Sequence, residues 1–320
     1  MNIKTGQQSP YLLLGLFFAA VALVALVALL VVTSRADNST QTATIENSPP
    51  IVDNLFIATS SLGAGQENLT LTETSKQIFI HGAATDPNSC QQIDAHTQWD
   101  VKFYRTDLGS GCAADPVNCY HITEIASNVT GCDSVSDTNV AYQFTENIFY
   151  NADATDPGSN PNNAGTDWTA RVCVTDDAGV QTCKVNVKTE ILTLNSLDIT
   201  PSIAFGNLAL GATSKDATMT ATNKGNYNAQ KVKIAQAAVW DCGGDSTMPV
   251  AQIRFSPTPA FTYANASSMK TVASTVTGVT ILKQTVSGTL RTEKIYTKLQ
   301  IPNSGAFGEC TATLDFTAVL

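Results

Sequence analysis

The chain has 320 residues, with 18 Lys and Arg against 27 Asp and Glu, a formal net charge of −9 and a pI near 4.7. That balance supplies no long-range positive field, which excludes nucleic acid as an electrostatically recruited partner. Charged residues make up 14% of the chain against about 25% in an ordinary globular protein, while Thr, Ser, Asn, Ala and Val dominate beyond the N-terminal segment. Such a mixture favours strands and polar turns over helices.

Residues 1–10 are a short polar segment. Tyr11 to Val32 (YLLLGLFFAAVALVALVALLVV) then runs for 22 residues without a charge. At ~1.5 Å per residue this spans about 33 Å, enough to cross a hydrocarbon core of ~30 Å. A transmembrane helix over 11–33 is therefore predicted. A secretory signal has an apolar region of only about 7–15 residues, so the length favours a retained anchor although Ser34-Arg35-Ala36 offers a small-residue cleavage site. Lys4 before the helix and Arg35 after it leave the charge bias nearly flat. The cysteines downstream decide the orientation, since they imply an oxidising compartment and so a C-terminal ectodomain outside the cell membrane.

The residues just before the helix, Lys4-Thr5-Gly6-Gln7-Gln8-Ser9, resemble the short leader of archaeal type IV pilin-like proteins, which is cut after Gly. Thr5 stands where those leaders usually carry a basic residue. The resemblance implies processing after Gly6 and packing of the apolar helix in a filament core. Residues 34–50 are polar, lack hydrophobic periodicity and end in Pro49-Pro50, the composition of a stalk.

From 51 to 189 short apolar-alternating runs are separated by Gly, Pro, Asn and Asp clusters. The predicted strands are Asn54–Ala58, Leu69–Thr72, Gln77–Ala83, Gln98–Arg105, Tyr120–Glu124, Ala141–Thr145, Trp168–Thr175 and Val180–Lys188. About eight strands over this length point to a β-sandwich. The stretch Trp168 to Cys183 is similar to the last hairpin of prokaryotic immunoglobulin-like surface domains, with Asp177-Ala178-Gly179 as a three-residue loop. In that register Asp176 faces Val180 and Cys173 lies opposite Cys183, which predicts a cross-strand disulfide.

Residues 190–320 read as a second β unit. Ile203-Ala-Phe-Gly-Asn-Leu-Ala-Leu-Gly211 followed by Ala217-Thr-Met-Thr-Ala-Thr-Asn-Lys-Gly-Asn226 resembles another immunoglobulin-like module of prokaryotic surface proteins. Phe205 is expected to cap the core, with Gly206 and Gly211 in turns. Later strands are predicted at Gln230–Gln236, Gln252–Phe255, Lys270–Val276, Thr280–Gly288, Ile295–Ile301 and Ala312–Ala318, the last of them internal to its own domain. The expected fold is all-β: two immunoglobulin-like β-sandwiches in tandem after one N-terminal transmembrane helix.

The eight cysteines include no Cys-x-x-Cys pair, which argues against a zinc site. Cys242 and Cys310 stand alone in the second unit and are expected to pair. Cys90, Cys112, Cys119 and Cys132 allow three pairings, of which Cys112 with Cys119 across Pro116, and Cys90 with Cys132, is preferred.

Chemistry is thinly signalled. His81, His96 and His121 are the only histidines, and neither a Gly-x-Ser-x-Gly elbow nor a Gly-rich phosphate loop accompanies them, so no enzyme and no catalytic residue are expected. The loop from Asn151 to Asp167 carries Asp153, Asp156, Asn160 and Asp167 at short intervals, oxygen donors that suit Ca²⁺; the same residues make ordinary turns, and no other cofactor is expected. Sequons at Asn38, Asn68, Asn128 and Asn265 are glycosylation candidates.

These features lead to the expectation of a membrane-anchored extracellular protein with an adhesive, binding or envelope-structural role. Its partners would be the membrane, through the helix, and another surface protein, a glycan or copies of itself. A pilin-like filament subunit is the alternative, and an anchored enzyme or solute-binding protein the third.

Overall fold

The computed structural model describes residue 22 and residues 42–320 other than 64–66, 123–128, 158–162, 164, 201 and 287. The predicted transmembrane helix, the leader around Gly6, Asn38, Asn128 and Asn160 lie outside the described residues. Among the described residues no helix is long and apolar enough to cross a membrane. Chain contacts divide the protein at Glu46. In the first unit, residues 42–46 are exposed and without regular structure. The second, Asn47–Leu320, is all-β, with two hydrophobic cores.

The first core is enclosed by β1 (Ile51–Val52), β2 (Phe56–Ala58), β3 (Ser75–Thr85), β4 (Trp99–Arg105), β5 (Cys119–Ile122), β6 (Val129–Thr130), β7 (Asn139–Phe149), β8 (Trp168–Thr175) and β9 (Gln181–Thr189). One sheet runs β1-β3-β7-β6 with β2 added on β3, and the other runs β5-β4-β8-β9. Their inner faces follow the period-two rule: Val140, Tyr142 and Phe144 of β7 are buried while Asn139 and Ala141 are exposed. Phe103 stacks on Trp168 at 4.9 Å, and Trp99 meets Tyr142 at 5.1 Å across the layers. Each such fully buried ring contributes about 1.5–3 kcal/mol. This is a sandwich-like packing.

The second core is enclosed by β10 (Leu197–Ile199), β11 (Ala217–Asn223), β12 (Gln230–Ala235), β13 (Trp240–Asp241), β14 (Thr247–Met248), β15 (Ile253–Ser256), β16 (Ser267–Ser268), β17 (Ser274–Ile281), β18 (Thr292–Leu299) and β19 (Asp315–Val319). The sheets are β10-β11-β18-β15-β16 and β17-β12-β19, with β13-β14 as a separate pair. Three expectations are corrected here. Lys270–Val276 and Thr280–Gly288 are not two strands: Ser274–Ile281 is a single strand, because Gly278 adopts φ +87° and the register against β12 slips there without turning the chain. Leu69–Thr72 forms only an isolated bridge to Ile191. The C-terminal strand is not internal, for among the described residues β19 pairs with β12 alone and occupies a sheet edge.

Four disulfides link Cys90 to Cys132, Cys112 to Cys119, Cys173 to Cys183 and Cys242 to Cys310. The hairpin between β8 and β9 closes with Asp176 N–H donating to Val180 O at 3.0 Å and Gly179 at φ +84°. That register sets Cys173 directly opposite Cys183.

The segment after Thr189 is pinned to both cores. Ile191 is fully buried in the first. Asn226 of the second half accepts from Leu194 N–H at 2.6 Å and donates to Leu192 O at 3.0 Å. Asn223, also fully buried, accepts from Gly225 N–H at 2.8 Å and donates to Tyr227 O at 3.1 Å. The Thr-Asn-x-Gly-Asn motif thus clamps the connector between the halves. Gly225 is required by proximity: a Cβ there would lie 2.1 Å from Leu194 O.

A buried ion cluster closes the same junction. Lys283, in the loop between β17 and β18, donates to Asp153 of the first half, whose other oxygen accepts from Arg105. Arg105 also donates to Asn163 Oδ1 at 2.8 Å and pairs with Asp107 at 2.6 Å. Beside it Tyr150 donates to the Gln284 side chain and Asn151 Nδ2 to Gln284 O at 3.1 Å. Burial pulls the Lys283 ammonium below the ordinary lysine value, and the Asp153 carboxylate opposes that shift.

Three outcomes follow from this packing. Gly225→Ala should cost about 1–3 kcal/mol in chemical denaturation, because the connector must move off its clamp. Asp153→Ala should cost about 3–5 kcal/mol by the same measurement, since it leaves Lys283 and Arg105 buried against a lost partner. The Tyr120 and Tyr142 phenols are pushed up chiefly by burial. Their stabilising effect is therefore intact below the unfolded tyrosine pKa of about 10 and is lost as pH rises above it. Denaturation midpoints should fall over that alkaline range, and less steeply in Tyr142→Phe.

Candidate functional site

The described carboxylates of the acidic loop are engaged by protein groups. Asp153 is held by Arg105 and Lys283, Asp156 accepts from Thr193 Oγ1 at 2.7 Å, and Asp167 pairs with Lys188 at 2.9 Å. Each carboxylate already has a protein partner. Among the described residues the group of three metal-ligand types within mutual reach is Cys112, Cys119 and His121, and its two sulfurs are joined in a disulfide. His121 Nε2 lies 2.9 Å from Cys112 O, and His81 Nε2 lies 3.0 Å from Gly63 O. Both rings therefore serve local backbone. Asn68 and Asn265 are exposed, as a modified asparagine must be.

A concavity lies on the open side of the second core. After β10 the chain leaves the sheet as an irregular segment, and Gly206 and Gly211 at φ +73° and +74° let it turn over the core opening. Two adjoining cavities of about 390 and 680 Å³ result, sharing Ile203, Phe205, Trp240, Cys310 and Thr311. Phe205 meets Trp240 edge-on at 6.1 Å, and the smaller cavity extends over Met219, Leu314 and Phe316.

Covalent and backbone links hold the far wall. The Cys242–Cys310 disulfide ties it to β13, and Asp241 and Thr311 exchange N–H···O bonds of 3.0 and 2.7 Å. On either side stand sheet edges: among the described residues β10 pairs only with β11, and β19 only with β12. Asn195 Nδ2 donates to Ala318 O at 3.1 Å and closes one end of the seam between them. The Trp240 indole N–H is buried at this wall with no acceptor among the described residues.

The lining includes Glu309 and neither Lys nor Arg. Its lining mixes apolar side chains with polar groups, an arrangement that suits ligand binding. Of the groove residues, Phe205, Leu314 and Phe316 were legible as core-facing positions, whereas Trp240 was not. Its one signal is its place two residues before Cys242, whose disulfide brings Cys310 to the same wall.

No protein-family model matches the chain, and no curated protein matches it. Among solved structures it is similar to dimeric latent PorU from Porphyromonas gingivalis, at 13% identity and a TM-score of 0.27. The match covers 89% of this chain and 21% of that one.

Proposed function

We propose that the chain is an extracellular surface protein, held at a membrane by its N-terminal apolar segment, with a non-catalytic binding role carried by the groove beside Trp240. The observation that carries this reading is the groove itself: a cleft of ligand size with a mixed polar and apolar lining, flanked by sheet edges. Four disulfides support an oxidising compartment, and 22 uncharged residues from Tyr11 to Val32 support the anchor. We read the two layered halves as immunoglobulin-like sandwiches, on the hairpin at Asp177–Gly179 and the Thr-Asn-x-Gly-Asn clamp.

A second reading, a pilin-like filament subunit, draws on Lys4 to Ser9 followed directly by the apolar stretch. Protease treatment of intact cells, with N-terminal sequencing of the mature chain, tests both. Digestion of the β-rich part without lysis, with the apolar segment retained in the membrane fraction, is the expected result. Protection until lysis would overturn the surface assignment. A mature chain beginning at Gln7 and recovered in filaments would replace the anchor by the filament subunit.

A further inference from the structure

The geometry points to a covalent cross-link between the two halves: an amide joining Lys283 Nζ to Asp153 Cγ, formed by the chain on itself with loss of water. This modification is independent of the binding role proposed above. Lys283 Nζ is in direct contact with Asp153 Oδ1, and the two side chains are only 9% and 8% exposed. Their sequence neighbours Asn151, Ala152, Ala154 and Gln284 are buried as well. An ammonium and a carboxylate in contact have the composition of an amide plus one water. In a place closed to solvent, the water that leaves is not there to reverse the reaction.

Both partners are fixed before they react. The Asp153 backbone N–H donates to Val117 O at 2.7 Å, and its carbonyl accepts from Trp168 Nε1 at 2.8 Å. Lys283 Nζ also donates to Asn151 O at 3.4 Å, and the next residue, Gln284, is held by Tyr150 and Asn151. Reactants positioned in this way have already lost the freedom that a bimolecular condensation must give up.

Arg105 stands at the other oxygen of the carboxyl. Its Nη1 donates to Asp153 Oδ2, where a guanidinium polarises the carbonyl and meets the negative charge of a tetrahedral adduct. The charge of Arg105 is balanced without Asp153, because Nε and Nη2 donate to Asp107 Oδ1 and Oδ2 at 2.6 and 2.9 Å. Condensation therefore removes two buried charges and leaves a neutral Arg105–Asp107 pair behind.

The bond changes are these. Nζ passes one proton to Oδ1, a transfer that burial of the ammonium favours. The freed lone pair attacks Cγ, the C–N bond forms, and Oδ2 carries the negative charge facing Arg105. A second Nζ proton moves to Oδ1, the C–Oδ1 bond breaks, and Oδ1 leaves as water while the carbonyl reforms at Oδ2. Nothing is oxidised or reduced, and no co-reactant enters. The product keeps Arg105 as donor to its C=O and has Asn151 O within reach of its N–H.

The test uses the full-length chain, made in a host that adds no N-glycans, purified in detergent, then reduced, alkylated and digested with trypsin. Trypsin does not cut after an acylated lysine. The expected product is a branched peptide in which residues 106–171 are joined to 271–291, uncut at Lys283 and lighter by one water than the two together. Fragmentation should place the bond between Asp153 and Lys283. Lys283→Arg keeps the cation but forms no such amide, and should release 106–171 unlinked at its full mass. Cleavage after Lys283 in the unsubstituted chain, with 106–171 at full mass, would overturn the proposal and leave the pair as a salt bridge. Loss of one water from 106–171 with Lys283 still cut would assign the loss to cyclisation of an aspartate, and sinks the cross-link equally. A branch that persists in Lys283→Arg would put the link on another residue and also exclude it.

Discussion

A carboxylate taken out of water must be paired, and Asp153 is paired from both halves of the molecule. Arg105 reaches it from the end of β4 and Lys283 from the loop after β17. Isolated, any one of these charges would be costly at that depth; together they offset one another's desolvation only while the two halves remain docked. The surrounding polar groups follow the same logic, since Asn151, Tyr150 and Gln284 find partners across the junction. The junction is therefore specific. A sliding apolar contact would tolerate many arrangements, whereas hydrogen-bonded charges accept one.

The connector completes that constraint. Ile191 is buried in the first core, and the side chains of Asn223 and Asn226 hold the next residues from the second. Such short amide clamps replace the sheet ladder where the chain crosses between layers, so that backbone groups leaving one sheet are not stranded before they enter the next. Gly225 allows the approach because a side chain would meet the Leu194 carbonyl.

With the junction held, the open side of the second core becomes a site. Its two sheets contribute five and three strands, and residues 202–216 touch the larger one only through a bridge between Thr213 and Gln300. The apolar residues that a further strand would cover, Phe316 and Leu314 among them, remain only partly buried. The disulfide between Cys242 and Cys310 ties that wall to the end of β13.

Local signals in the sequence were sufficient wherever the interaction is local. Period-two alternation marked β4, β8 and most of β7, because burial on one face leaves a trace in every second residue. The Asp-Ala-Gly turn set the β8–β9 register and with it the apposition of Cys173 and Cys183. The gap expected between Lys270–Val276 and Thr280–Gly288 is bridged instead, since a positive-φ glycine such as Gly278 serves a turn or a slip in register, and only the partner strand decides which. In the acidic loop the partners came from afar: Asp153, Asp156 and Asp167 are met by Lys283, Thr193 and Lys188, which no local pattern announces. Tertiary structure alone decided that β19 is an edge and that Trp240 faces a groove, because strand order and the meeting of residues 240 and 310 depend on contacts between distant segments. The sequence by itself determined an apolar N-terminal stretch, an all-β body and the alternation that builds its layers; the junction, the sheet edges and the groove came from long-range packing that no short window of residues encodes.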